Sequence, residues 1–580
     1  MKYTEENNTQ LDNQFSAKTR VYNIEKLRTE TFDLLIIGGG ITGAGTACVA
    51  SNQGIKTALV EMNDFASGTS SKSSKLLHGG VRYLEQYQFK LVFEALKDRN
   101  DLFKTIPHIA KPLSFIVPIY KNYKETVLLM NLGLSLYDFL SYISGNMVTK
   151  IHKFLTGRGV INYENKILQN GLKGGIQYFD GHCDDSRLTL ENIKTAQSNN
   201  TVIANYIKII NFKKDDNGQV IEAVAKDLIS NETFVIKAKK ILNAAGPWLD
   251  SVNKSDNKSY KDKLRPTKGV HIIIPKVTDG NALLIKTPTE PIRWVFIIPY
   301  QNYSMVGTTD TEAKNHDDYT YLDEDNYASA DEIKYLLETV NHYFPNAIVT
   351  KNDIVSSFGG WRPLIAPPED MSESDISREH QIFETDSGII CIAGGKLTAY
   401  VSMAQEIVEY VNKKYNLSDK NIKIKDYPQL LSWKTNYNLR EYISNEQKKY
   451  SLTDHQLIER LINKYGTEYY KIYQIIQLSP IMREEIDYLS KDAQCLRAEV
   501  IYSVLYEMTM TVNDFMIRRH RIILQDINQG LKALNEITDL LSYTIANNLS
   551  WTEEHRIDWS IKQKEEYMRE VNRVNQGLKI

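Results

Sequence analysis

The sequence predicts an α/β fold that carries an all-helical C-terminal domain, and three observations predict it. An apolar run, Phe32 to Ile37, meets glycines at once and is followed by the Ala-rich stretch Ala44 to Ala50 and a second run, Thr57 to Val60, which reads as strand, turn, helix, strand. Alternating segments such as Val270 to Pro275 and Val295 to Pro299 suit an antiparallel sheet that covers a ligand. After about residue 415 a polar connector, Leu417 to Tyr427, leads into long segments with helical spacing and few glycines or prolines.

The elements follow in order. The first 30 residues are polar, lack the apolar core of a secretory signal, and read as a loose extension. Lys240 to Ala245 and Ile389 to Ala393 are short apolar runs ending in small residues, as buried parallel strands do. The first unit is therefore expected to be discontinuous, over 31–110, 185–260 and 355–410. A mixed or antiparallel-sheet substrate domain is expected over 111–184 and 261–354, and the helical domain over 425–580. The most apolar run, Val127 to Ile143, is interrupted by Asn131, Gly133 and Asp138 and falls short of the ~20 apolar residues that span a bilayer. Peripheral attachment would need only an apolar face with basic residues beside it.

Composition narrows the function. The 70 basic and 72 acidic side chains nearly cancel, which argues against nucleic acid as a partner. The four cysteines, Cys48, Cys183, Cys391 and Cys495, have no metal-ligand or redox-motif spacing, so no metal is expected and a reducing cytoplasm suits them. Oligomeric state leaves no signal in the chain, and a homodimer is compatible with it.

Gly38, Gly40 and Gly43 form G-x-G-x-x-G between the first strand and the first helix, and Glu61 ends the second strand. The first glycine permits the tight turn, the second lets backbone approach a pyrophosphate, and the third lets helix pack on strand, with the helix N-terminus facing the phosphates. Glu61 is placed to accept from the adenosine ribose hydroxyls and would repel a 2′-phosphate, which disfavours NADP. The fingerprint does not decide between FAD and NAD. The Ser/Thr-rich loop Ser67 to Ser74 suits a flavin, whose pyrophosphate and ring need further donors.

The segment Thr69 to Leu84, TSSKSSKLLHGGVRYL, together with that fingerprint closely resembles the FAD-dependent glycerol-3-phosphate dehydrogenases. Further matching stretches are NAAGPW (243 to 248), KGVHIIIP (268 to 275), GTTD (307 to 310), GGWRPL (359 to 364) and GGKLTAY (394 to 400), and RAEVIYSVLYEMTMTVNDFMIRRHRI (497 to 522) resembles the family's C-terminal domain. The resemblance implies a Rossmann-like FAD-binding domain and oxidation of sn-glycerol 3-phosphate to dihydroxyacetone phosphate. Electrons would pass to membrane quinone or, in an oxidase branch, to oxygen. The extra insertion of the oxidase branch is not found here, which favours a quinone-linked enzyme in the cytoplasm, at the inner face of the plasma membrane.

The resemblance also places residues. Arg82, Tyr83, Arg362 and Arg378 fall where the family binds substrate, and arginine forks match phosphate oxygens as a lysine point charge does not. Thr308 is expected to donate to substrate, and Asp310 to fix its loop. His271 is the first choice for the base that takes the hydroxyl proton, since imidazole titrates near neutrality. Lys396 and the amides of Gly394 and Gly395 would set positive charge beside the flavin, a role Arg362 could share. Ser70, Ser74, Lys75 and Leu77 are expected along the cofactor, and Ala245 and Gly246 near the adenosine.

In Tyr178 to Leu188, YFDGHCDDSRL, the DDSRL end resembles the family and GHC does not; a metal reading of His182, Cys183, Asp184 and Asp185 lacks a second ligand cluster. Arg518, Arg519, His520 and Arg521 are expected on a helix face, toward water or anionic headgroups. An amine or amino-acid oxidase would share the fingerprint but need one carboxylate-binding arginine and an apolar pocket. A non-catalytic flavin-binding scaffold is the remaining alternative.

Overall fold

The computed structural model describes residues 15–80, 88–121, 123, 127–145, 149–313, 319–366, 380–418 and 427–578. The strand Thr31–Ile37 lies at the centre of an eight-stranded sheet, flanked in parallel by Thr57–Val60 and Thr233–Asn243. Val202–Ala204 extends one side and Ile390–Ala393 the other, both in parallel. Gln381–Glu384 adds an antiparallel edge, and the ribbon Ile207–Lys214 with Val220–Asp227 builds onto the start of Thr233–Asn243. The central strands are buried on both faces, so their apolar runs are continuous rather than alternating. On one face the helix Ile41–Asn52 packs against Asp185–Ser198 and Tyr400–Tyr415; a Cβ at Gly45 would lie 2.9 Å from the Tyr400 ring.

The other face is covered by a helix the sequence does not announce. Ala17–Thr29 opens with a reciprocal cap between Ser16 and Thr19. It docks through polar groups: Arg20 pairs with Asp227 at 2.7 Å and donates to the Asn205 carbonyl, and Asn23 donates to the Ile203 carbonyl at 2.8 Å. The expected loose extension is thus corrected for residues 15–29. Its polar composition serves buried hydrogen bonds rather than solvent.

The second sheet has ten strands, antiparallel except where Ala282–Lys286 meets Ala110–Tyr120. Near one end of the sheet, Thr267–Pro275 pairs with Tyr303–Gly307, Thr311–Glu312 and Ser356–Arg362. Val270, Ile272 and Ile274 face the helix Ala330–Tyr343, while Ile273 on the opposite face joins the helices Arg497–Tyr506, Leu534–Leu549 and Glu553–Val574. Leu76–Leu77 and Ser356–Arg362, expected with the first unit, belong to this sheet. A short run of small and apolar residues fits either sheet, and only long-range pairing decides.

The basic cluster is a second correction. Residues Asp514–Arg519 wind as a π-turn, and Arg518, Arg519, His520 and Arg521 are all under 10 % exposed. Arg518 and Arg519 close on Asp64 at 2.5 and 2.7 Å, and Arg521 closes on Asp184 and Asp185. These cations are therefore not a solvent-facing basic helix face; they fasten the helical end to the first sheet.

Burial alone would raise the Asp64 carboxyl, but Arg519 and Arg518 outweigh it and hold it below the ordinary value. A depressed carboxyl stabilises above its unfolded pKa of about 3.9, and that stability is lost as pH falls through the folded value. Asp64→Asn should cost about 3–5 kcal/mol by removing the buried carboxylate the two guanidiniums share, leaving Arg518 only Asp514 at 2.9 Å and Arg519 only a 3.9 Å contact to Glu507. Denaturant unfolding of the holoenzyme at neutral pH measures it, and a loss below about 1 kcal/mol, the scale of a surface pair, would contradict the clamp.

Candidate active site

The parallel strands end at Ile37, Val60, Asn243 and Ala393 on one edge of the first sheet, and a cleft of about 810 Å³ opens there. That is the crevice outside the carboxyl ends of the strands where open α/β sheets take ligands, and its size suits a cofactor, at ~300–1,000 Å³. Gly38 has φ +113°, and a Cβ at Gly43 would collide with the Gly38 carbonyl. Gly40 caps the helix Ile41–Asn52 without a side chain, so the helix mouth presents bare backbone. Glu61 accepts from Gly39 N at 2.6 Å and Asn63 N at 2.8 Å; burial raises its pKa and these amides oppose the rise. Ser70 Oγ accepts from Ile41 N at 2.9 Å and closes the mouth from the far side.

Gly38, Gly40, Glu61, Ser70, Ala245, Gly246, Gly394, Gly395 and Lys396 line the cleft. Gly43 lies beneath it. The residues present fit a dinucleotide: a left-handed glycine at the turn, a helix end whose N-cap Gly40 brings no side chain, and an acid at the second strand end. Three expected cofactor residues sit elsewhere. Leu77 is core, Ser74 Oγ is 2.8 Å from His271 Nε2, and the Lys75 ammonium is buried against Asp185 at 3.1 Å.

The second sheet brings the substrate candidates together beside this cleft. Arg362, ending Ser356–Arg362, donates to Asp310 Oδ1 at 2.9 Å, Thr308 Oγ1 at 3.0 Å and the Thr309 carbonyl at 3.0 Å. Gly269 makes room for them, since a Cβ there would run into the guanidinium and lie 2.5 Å from Thr308 Oγ1. Two residues along the strand, His271 packs over Gly307 and stacks on Phe358 with centroids 4.8 Å apart. Burial, with Lys75 and Arg362 adding positive charge, drives its pKa well below the ordinary imidazole value. Its Nδ1 has no hydrogen-bond partner among the described residues.

The loop Ser67 to Lys75 joins the two halves. Thr69 donates to the Trp361 carbonyl at 2.6 Å, Ser70 reaches the helix mouth, and Ser74 reaches His271. Arg82, Tyr83 and Arg378 lie outside the described residues. Sequence reasoning missed Arg293, which holds the second oxygen of Asp310 at 2.9 Å and sits in no motif, and the aromatic Phe358 under His271. The charge pattern offered no signal for either.

Comparison with known proteins agrees with this architecture. Residues 33–403 match the FAD dependent oxidoreductase family model, and 432–556 match the C-terminal domain of alpha-glycerophosphate oxidase. The aerobic glycerol-3-phosphate dehydrogenase of Staphylococcus aureus (strain USA300) is 36% identical over 560 residues, 93% of this chain and 96% of that one. The chain belongs to the FAD-dependent glycerol-3-phosphate dehydrogenase family. Among solved structures of similar fold, the Bacillus halodurans glycerol-3-phosphate dehydrogenase complexed with FAD superposes with a TM-score of 0.75 at 29% identity, covering 97% of this chain and 99% of that chain. The FAD-bound L-alpha-glycerophosphate oxidase of Mycoplasma pneumoniae, at 19% identity and TM-score 0.51, covers 66% of this chain and 95% of its own and shares the fold. The cofactor of a dehydrogenase of this family is FAD, and the cleft at the strand ends is the part of the fold that fits it.

Gly43→Ala should strip the protein of flavin while leaving it folded. Overpacking of about 1–3 kcal/mol at the turn is roughly ten-fold or more in affinity. The ratio of flavin to protein absorbance after purification reads this, and full occupancy would show that the turn is not the pyrophosphate seat.

Proposed function

We propose that the protein oxidises sn-glycerol 3-phosphate to dihydroxyacetone phosphate, with the phosphate held at Arg362 and the C2 hydroxyl beside His271. The observation that carries the reading is the placement of a guanidinium and a neutral imidazole on one face of the second sheet, on neighbouring strands, next to the flavin cleft. Bound FAD supplies the hydride acceptor.

Arg362 is preorganised. Asp310 holds it from one side and Arg293 braces Asp310, so the fork meets a phosphate without reorganising. Thr308 Oγ1, already fixed by Arg362, adds a hydroxyl. His271 is neutral through the physiological range and so is ready to accept the hydroxyl proton as hydride leaves carbon. Lys396 and the Gly394 and Gly395 amides place positive charge at the cleft wall, where charge develops on reduction. Phe358 stacks on the imidazole and covers that face of the ring.

A quinone acceptor at a lipid surface completes the reading. The helix Val127–Ile143 leaves Leu132, Phe139 and Tyr142 about 60–70 % exposed, and Ile151 and Phe154 continue that apolar surface. Lys150 and Lys153 beside it are exposed, the pairing of apolar face and cations that an interfacial contact requires. No helix among the described residues is long and apolar enough to cross a membrane.

Anaerobic addition of sn-glycerol 3-phosphate to the holoenzyme should bleach the oxidised-flavin bands, while the enantiomer and glycerol do not. No bleaching with FAD bound would overturn the substrate, and reoxidation by oxygen as fast as by a quinone analogue would overturn the acceptor. In Arg362→Ala, kcat/KM should fall by about 10²-fold, since a hydrogen bond to a charged group is worth about 1.5–3 kcal/mol. Retained flavin and unchanged kinetics would remove Arg362 from the site. Because His271 is held neutral, the acid limb of kcat/KM should lie below the ordinary imidazole pKa of about 6.5. A half-maximum at or above that value would exclude His271 as the base.

A further inference from the structure

Behind the loop Ser71 to Lys75 lies a second cleft, about 560 Å³, which shares no lining residue with the first. Its walls come from the start of Ala110–Tyr120, from the turn at Tyr300 and Gln301, and from the helical end. Eight Lys and Arg side chains and three His line it, against one carboxylate, Asp184. The other carboxylates stand behind the cations: Glu499 takes Arg460 at 2.8 Å and Lys464 at 3.2 Å, and Asp185 takes Lys75 and Arg521. Lys111 rests on a neutral group, Asn463 Oδ1 at 2.8 Å, and burial lowers its pKa with Glu459 opposing. Arg187 pairs with Glu507 and Arg519 with Asp64, so six of the eight cations have a carboxylate behind them, and Lys111 and Lys491 are the two with no ion pair among the described residues.

A second observation points to a ligand. His108 is 2 % exposed, stacks on Trp433 at 5.3 Å and lines the cleft, yet neither ring nitrogen has a hydrogen-bond partner among the described residues. A buried imidazole left unbonded on both sides costs free energy that a ligand oxygen would recover. Cys495, Glu499 and His520 come within 4.8 Å of one another close by, but Arg460 and Lys464 already occupy the Glu499 oxygens and would repel a metal ion.

We propose that this cleft binds a small, multiply charged phosphate anion, held by Lys111, Arg460, Lys464 and Lys491 with His108 as a hydrogen-bonding wall. Cations on several walls call for oxygens that point several ways, which a phosphate group offers and a planar carboxylate does not. The cleft is wired to the cofactor loop. Arg521 donates to the Ser71 carbonyl at 3.3 Å, Lys75 donates to the same carbonyl at 3.1 Å, and the intervening Ser74 touches His271. An anion that draws Arg521 and Lys75 toward itself shifts that loop by its differential affinity for the two arrangements. The effect on turnover rests on the proposed function; the binding does not.

Isothermal titration of the holoenzyme with inorganic pyrophosphate tests it. Wild type should bind in the cleft, Lys111→Glu should weaken binding about ten-fold and the more exposed Lys491→Glu about three-fold, while Arg362→Ala leaves it unchanged. Flavin content and melting temperature confirm that each variant is folded, and Lys491→Glu carries the test if Lys111→Glu is not. No binding by wild type, or equal affinity in both lysine variants, overturns the site. Loss in Arg362→Ala with none in the lysine variants places the anion at the flavin cleft and also overturns it. Saturating pyrophosphate should change the KM for sn-glycerol 3-phosphate in wild type and not in the lysine variants; binding without that change overturns the coupling. Pyrophosphate binding as expected in a protein that sn-glycerol 3-phosphate fails to bleach leaves the anion site standing and removes the proposed substrate.

Discussion

A single buried carboxylate, Asp185, accepts from Ser73 N and Ser73 Oγ, faces the Lys75 ammonium, and meets the Arg521 guanidinium. Three parts of the molecule converge on it: the loop that closes the cofactor cleft, the first helix after the second sheet's longest strand, and the helical end. In the low dielectric of that position an unpaired charge is costly, so each partner enforces the others' placement. The loop's conformation is over-determined from behind. It can therefore present Ser70 to the helix mouth and Ser74 to His271 without contributing a core of its own.

Substrate-side geometry follows the same logic of rigid support. Thr267–Pro275 carries two places where a missing side chain matters. Gly269 admits the Arg362 fork and Thr308 onto the strand, and Gly307 on the neighbouring strand admits the His271 ring. Arginine and histidine are thereby set on one face of the sheet, on neighbouring strands, with Arg362 opposite Thr267 and His271 opposite Phe358. Loops supply only Asp310 and its brace Arg293. An active site built on paired strands holds its spacing more precisely than one built on loops.

What could be read in advance was local. The fingerprint, Glu61 and the small-residue strand ends are short patterns whose chemistry is complete within a few residues, and the structure places them around one cleft. The motif residues Arg362, Thr308 and His271 are close in space because their strands pair, and the motifs, not any periodicity, point to them. What could not be read was pairing over distance. Arg518 to Arg521 look like a solvent-facing basic run until Asp64, Asp184 and Asp185 are seen opposite them, more than 300 residues earlier. Ala17–Thr29 looks polar and loose until its polar groups are found bonded to Asp227 and to strand carbonyls. Lys75 is expected along the cofactor by its place in the loop, but its side chain turns away from the cleft, to Asp185.

The docked Ala17–Thr29 helix has an implication for how the molecule is made. Lys18 N donates to Asn548 Oδ1 at 2.7 Å, and Met508 N donates to the Phe15 carbonyl, so residues made first bond to residues made more than 490 positions later. Domains generally fold in order of synthesis, and contacts this far apart in sequence are slow to form. During translation the Ala17–Thr29 helix can dock on the first sheet through Asp227 and Ile203, but the bonds from Phe15 and Lys18, and the one from Arg521 to the Ser71 carbonyl, wait for the helical end. The loop before Lys75 and the turn that opens the first helix are therefore completed last, by residues of the helical end.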